Sequence, residues 1–159
     1  MTKICCFTGH RNISRSKFNV TLSNLEELLT KLITEEGYTF FRAGGAMGFD
    51  TLAAMCVLKL KHKYPQIKLD LILPCRDQAK YFPPRDRAEY DYILKNADSI
   101  VYTQERYTTT SMLTRNRALV NGSDLCIAYM THLSGGTFQT VNIARKSGVE
   151  VINIAQNKK

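Results

Sequence analysis

Tyr38-Thr39-Phe40-Phe41-Arg42-Ala43 runs straight into Gly44-Gly45-Ala46-Met47-Gly48-Phe49-Asp50, and from Asp50 to Lys63 the residues Leu52, Ala53, Cys56, Val57 and Leu60 recur on one helical face. A short apolar run, a glycine turn and an amphipathic stretch read as strand, turn and helix. Working outward, the same unit repeats. Lys3 to Thr8 reads as a buried first strand, and Phe18 to Glu36 as a helix carrying Leu22, Leu25, Leu28, Leu29, Leu32 and Ile33, ended by Gly37. Tyr38 to Ala43 is the second strand, and Lys68 to Leu73, stopped by Pro74, is the third. A helix over Asp86 to Asn96 and a fourth strand over Ser99 to Tyr102 follow. Ser111 to Asn121 is helical up to Gly122, Leu125 to Tyr129 is a fifth strand, Phe138 to Ser147 is helical up to Gly148, and Val149 to Ile154 is the last strand. Strands separated by helices predict an α/β fold, doubly wound, with a mainly parallel sheet and helices on both faces. No linker or repeat divides residues 1–159, so a single domain is expected.

Composition narrows the class. A hydrophobic fraction of 44% supplies a core without a disulfide or metal staple. The cysteines Cys5, Cys6, Cys56, Cys75 and Cys126 form no C-x-x-C pair, which points to reduced thiols and excludes a zinc framework. No cofactor is called for. The start, Met1 to Phe7, is too short for a signal peptide, and no apolar run reaches membrane-spanning length, so a cytoplasmic protein without a membrane partner is expected. The net charge of +8 fits either a nucleic-acid surface or a pocket for a small anion. Lys59, Lys61 and Lys63 need only a solvated helix face, and Lys158 and Lys159 only a tail.

In open parallel sheets ligands bind beyond the carboxyl ends of the strands. The segments expected there are Thr8-Gly9-His10-Arg11, Gly44 to Gly48, Pro74-Cys75-Arg76, Thr103 to Thr110 and Ser134-Gly135-Gly136-Thr137. Glycines, hydroxyls and arginines thus gather at one rim. Gly44, Gly45, Ala46, Met47 and Gly48 let backbone N–H groups approach a phosphate, with Asp50 either capping the helix or holding a ligand hydroxyl. Ser134, Gly135, Gly136 and Thr137 repeat that logic before the final helix, and Thr140 is either a further contact or a core hydroxyl. Thr8, Gly9, His10 and Arg11 stand where a phosphate or ribose contact falls, with His10 also a candidate base and Arg11 suited to bidentate phosphate binding. Of Arg115-Asn116-Arg117, neighbours on a helix point about 100° apart. Arg115 and Asn116 are taken as the inward pair and Arg117 as solvated. His132 and Ser134 have no visible acidic partner, so a nucleophilic triad is unsupported.

These motifs in this order resemble the bacterial and phage SLOG proteins related to YpsA. The resemblance rests on Cys5 to Arg11, on Gly45 to Asp50 with Ala53-Ala54, and on Ile72-Leu73-Pro74, Gln78, Arg87 and Tyr90. Ala97-Asp98, Tyr107, Arg115-Asn116 and Gly135-Gly136-Thr137 complete it, so that it spans Lys3 to Ile154. It implies a Rossmann-like fold and a nucleotide or nucleotide-derived signal as ligand. The wider superfamily includes the LOG enzymes, which cleave the N-glycosidic bond of a nucleoside monophosphate with an Arg and a Glu. Their Arg resembles Arg115; their Glu sits in P-G-G-x-G-T-x-x-E, where this chain has Asn142. An amide neither stabilises an oxocarbenium ion as a carboxylate does nor acts as a base.

Three functions therefore stand in order. First comes a binding module for a small phosphate-bearing, nucleotide-like ligand such as an ADP-ribose-type signal, acting as sensor, carrier or sequestering protein. Second is a LOG-type nucleotide N-glycosidase or phosphoribohydrolase, with Asp50, His10 and Arg115 as the candidate catalytic residues. Third is a DNA-binding protein like DprA, disfavoured because the basic residues are spread along the chain and no helix-turn-helix or stacking motif is visible. LOG-type relatives pair as homodimers, which makes a homodimer the expected assembly; the helix face Leu22 to Ile33 serves either as its interface or as core packing.

Overall fold

A computed structural model describes residues 2–156; the tail lysines Lys158 and Lys159 lie outside the described residues. The elements are β1 (Lys3–Gly9), α1 (Arg15–Glu35), β2 (Tyr38–Ala43), α2 (Phe49–Lys61), β3 (Lys68–Leu73) and α3 (Pro84–Asn96). β4 (Ser99–Tyr102), α4 (Ser111–Val120), β5 (Leu125–Tyr129), α5 (Gly135–Lys146) and β6 (Glu150–Asn153) follow, before a closing 3₁₀ turn over Ile154–Gln156. The strands form one sheet in the order β4-β3-β2-β1-β5-β6, with every pair parallel. The chain winds outward from β1 through β4, then returns to the other side of β1 for β5 and β6. It is a Rossmann-like, doubly wound α/β fold whose direction reverses between β1 and β5.

Each face of the sheet is covered by its own helix layer. α1, α2 and α3 pack in sequence on one face, and α4 with α5 on the other. The alternation of β1 divides its side chains between them. Cys5 and Phe7 join Leu29, Phe41, Val57, Leu69 and Ile127 in the larger core. Cys6 points the other way, to Cys126, Leu119, Val120 and Ala144. Burial on both faces is why β1 and β5 read as unbroken apolar runs. Leu25, Leu29, Leu32 and Ile33 of α1 are buried, with Leu22 and Leu28 packed beside them. The apolar stripe of α1 is therefore core packing.

Helix starts depart from the sequence reading more than strand bounds do. α1 begins at Arg15 rather than Phe18, α3 at Pro84 rather than Asp86, and α5 at Gly135 rather than Phe138. Proline suits the first helical turn, where its missing N–H is no loss. In α5 the glycines that propensity assigns to a loop form the first turn of the helix itself.

Arg42 carries a structural role that its sequence context concealed. Pointing opposite to Phe41, it reaches the C-terminus of α4, where Nη1 donates to the carbonyls of Asn121 (2.6 Å) and Leu119 (3.2 Å). A cation there satisfies end carbonyls and meets the negative pole of the helix. Arg42→Met should lower stability by about 1–2 kcal/mol. An unchanged urea midpoint would show that these bonds contribute nothing net.

Candidate functional site

The reversal between β1 and β5 opens a cleft of ≈ 700 Å³ at the carboxyl ends of those strands. Thr8, Gly9, His10 and Arg11 enter it from β1, Ala46 and Asp50 from the β2–α2 turn, Arg115 and Asn116 from α4, and Ser134 to Thr137 from the start of α5. Gly44, Gly45, Met47, Gly48 and Pro74 lie outside its wall. Gly45, at φ 79°, turns toward Leu73, Gln78 and Tyr90 on the far side of the loop, and Pro74 is buried behind it. Gly48, at φ 80°, backs onto the main chain of Arg11, which leaves no room for a Cβ.

Gly44 lies outside the wall but makes the cleft's electrostatics workable. A Cβ there would stand 2.5 Å from Arg115 Nη1 and 3.0 Å from Asp50 Oδ2. Only glycine lets both charges approach this stretch of backbone. Arg115 is 6% exposed. Its Nη1 donates to the Gly44 carbonyl, its Nε to Asn116 Oδ1 at 2.9 Å and its Nη2 to Met112 Sδ at 3.6 Å. Asn116 Nδ2 in turn donates to Gln139 Oε1 at 3.2 Å, so one polar chain joins the β2–α2 turn, α4 and α5.

Asp50 is 5% exposed and does not cap α2. The N-cap position is Gly48, and Asp50, in the first turn, accepts the Ala46 N–H at 3.2 Å. Burial pushes its pKa up to about 6, against the pull of Arg115, the Ala46 N–H, Arg11 and the Gly44 N–H. Burial likewise lowers the pKa of Arg115, opposed by Asp50, though a guanidinium starts high enough to stay charged. Among the described residues no ion pair joins the two; each is tied to the glycine turn instead.

The start of α5 differs from an ordinary helix end. Ser134 holds the N-cap position in extended backbone, yet makes no side-chain cap bond. Its hydroxyl lies 2.9 Å from His132 Nδ1. Gly135, Gly136 and Thr137 face the cleft, so the leading N–H groups and the positive helix pole face it without a side-chain cap. An oxyanion could occupy that position, with Arg115 adding a buried positive charge nearby. Thr140 is a core hydroxyl, fully buried and donating to the Gly136 carbonyl at 2.9 Å.

Gln139 and His132 are cleft residues that the sequence reading did not place there. Gln139 follows from the earlier start of α5: a helix beginning at Gly135 turns residue 139 inward. Asn142, aligned above with the LOG glutamate, is outside the wall, and among the described lining residues Asp50 is the one carboxylate. Arg115 and Asn116 are buried and Arg117 is exposed, the arrangement expected above. No helix among the described residues is long and apolar enough to cross a membrane.

Comparison with known proteins identifies the family and the fold. The SPbeta prophage-derived protein YoqJ of Bacillus subtilis is 30% identical over 138 residues, covering 79% of this chain and 78% of that protein. A UPF0398 protein of Halalkalibacterium halodurans is 31% identical over 141 residues, covering 87% and 71%. Among solved structures, DNA processing protein A from Helicobacter pylori, a study of its single-stranded DNA binding mode, superposes with a TM-score of 0.68 at 20% identity. Its Streptococcus pneumoniae counterpart gives 0.66 at 18%. Both alignments cover 94% of this chain but only 63% and 49% of the respective partner chains, so this likeness speaks to the fold alone. The family model YpsA (YspA SLOG family) matches residues 5–150, and the chain belongs to that family.

Proposed function

We propose that the chain binds a nucleotide or nucleotide-derived small molecule in the β1/β5 cleft, as a sensor, carrier or sequestering module. The observation that carries this reading is the side-chain-uncapped N-terminus of α5 facing the same cleft as the buried Arg115. A phosphate seated on Gly135, Gly136 and Thr137 would accept the N–H groups that Ser134 leaves free. Asp50 supplies an acceptor for a ribose hydroxyl. In this reading the positive charge of the cleft serves a small anion.

A second reading, hydrolysis of the N-glycosidic bond, is favoured by Asp50. Its pKa of about 6 suits proton transfer near neutral pH. It is secondary because Asp50 is held by the glycine turn and no second carboxylate lines the described cleft.

Thermal shift of the purified protein with nucleoside mono- and diphosphates, NAD and ADP-ribose tests the first reading. A ligand at about 1,000 times its Kd stabilises by about 4 kcal/mol. Gly136→Asp places a carboxylate at the helix terminus, where a Cβ meets nothing closer than Asn116 Nδ2 at 3.9 Å. That variant should fold and lose the shift. A shift that survives it would move the phosphate elsewhere, and no shift with any compound would remove the proposal. Release of free base during incubation would favour the second reading.

Asp50 also sets a pH signature. Because its pKa is higher in the fold than the ordinary 3.8, the folded state holds the proton more tightly than the unfolded chain. The stability it contributes is full below about pH 4 and is lost as pH rises through 6, a change of about 3 kcal/mol. Asp50→Asn should flatten the pH dependence of the urea midpoint over that window. A variant that keeps the wild-type slope would assign the dependence to another group.

A further inference from the structure

A column of aromatic rings runs from the core to the cleft. Phe41 and Phe7 stack at 6.2 Å between centroids, Phe7 meets Phe49 edge-on at 6.4 Å, and Phe49 stacks on Tyr129 at 5.8 Å. Tyr129 meets His10 edge-on at 6.4 Å, and His10 stacks on His132 at 3.8 Å with 5° between the planes. The last pair is the closest and flattest contact of the series, and it lies at the mouth, where burial does not enforce it. It also straddles the fold reversal, since His10 follows β1 and His132 follows β5.

Both rings are held. His10 donates its main-chain N–H to the Tyr129 carbonyl and accepts the Phe49 N–H on its own carbonyl, each at 3.2 Å. Its Nε2 accepts the Thr131 N–H at 2.9 Å, which puts the ring proton on Nδ1. Partial burial and the facing His132 lower the pKa of His10. His132 is oriented by the Ser134 hydroxyl. It is exposed, and among the described residues its ring neighbour is His10 alone.

We infer that the His10–His132 stack is a platform for the base of the ligand, with an aromatic heterocycle lying on the outer face of His132. This rests on the nucleotide reading above and deepens it. Aromatic side chains stack on nucleobases with little regard to base identity, because every base has a π face. The loop that carries His132 leads within three residues to Gly135 and the side-chain-uncapped helix terminus. Base and phosphate would thus be held by one short segment. Ser134 orients the platform with the hydroxyl that would otherwise cap the helix, which couples the two subsites.

Calorimetric titration with adenosine 5′-monophosphate and with ribose 5-phosphate separates them. On the wild type the nucleotide should bind about tenfold or more tightly than the baseless sugar phosphate. His132→Ala should remove most of that difference, and His132→Phe should restore it. Equal binding of the two compounds to the wild type, or a His132→Ala variant that keeps the full difference between them, would overturn the platform while leaving a phosphate site. Failure of the wild type to bind either compound would overturn the nucleotide reading and the platform together.

Discussion

Arg115 has exchanged water for the carbonyl of Gly44, and the segments around the cleft are joined through what its guanidinium donates. Desolvating a cation costs several kcal/mol before anything is gained. That cost is offset by bonds to Gly44, Asn116 and Met112 and by the negative charge of Asp50 nearby. Truncating Arg115 would leave the Gly44 carbonyl with Gln78 Nε2 as its donor and Asp50 buried without its main counter-charge. The glycine turn is thus shaped by charge as much as by backbone freedom: Gly44 is small so that two ionised groups can share its surroundings.

Topology then fixes where this charge faces. The chain winds one way from β1 to β4 and the other way through β5 and β6, so the loops after β1 and β5 diverge and leave a crevice. α4, returning across the sheet, carries Arg115 and Asn116 to its wall, and α5 starts beside it with its positive pole inward. The net charge of +8 is spread over the surface, but the positive groups buried against the cleft are few and placed by the fold. Asp50 offsets part of that charge, at the cost of its own burial.

Much of this was legible in the sequence, for physical reasons. The bounds of β2, β3 and β5 were readable as the short apolar runs of buried parallel strands, and those of β4, an exposed edge strand, from the polar Asp98 and Thr103 on either side. Helical geometry dictates that Arg115, Asn116 and Arg117 cannot all turn inward, and packing leaves Arg117 outside. The start of α5 was not readable, since Gly135 and Gly136 have poor helix propensity and Gly135 opens the element at φ 84°, a left-handed backbone that glycine adopts freely. Gln139 was lost with it. Which side of the β2–α2 turn each glycine faces depends on Leu73, Tyr90 and Arg11, residues distant in sequence. The same holds for His132, whose place is set by a ring from another strand.

The central claim, an anionic nucleotide on the terminus of α5 in the β1/β5 crevice, is tested most directly by titrating ¹⁵N-labelled protein with adenosine 5′-monophosphate and following the amide spectrum. The account predicts the largest shifts at Gly135, Gly136 and Thr137, with His10 and Ala46 following, and little change along the outer face of α1. Shifts concentrated away from the cleft, or none at millimolar nucleotide, would contradict it.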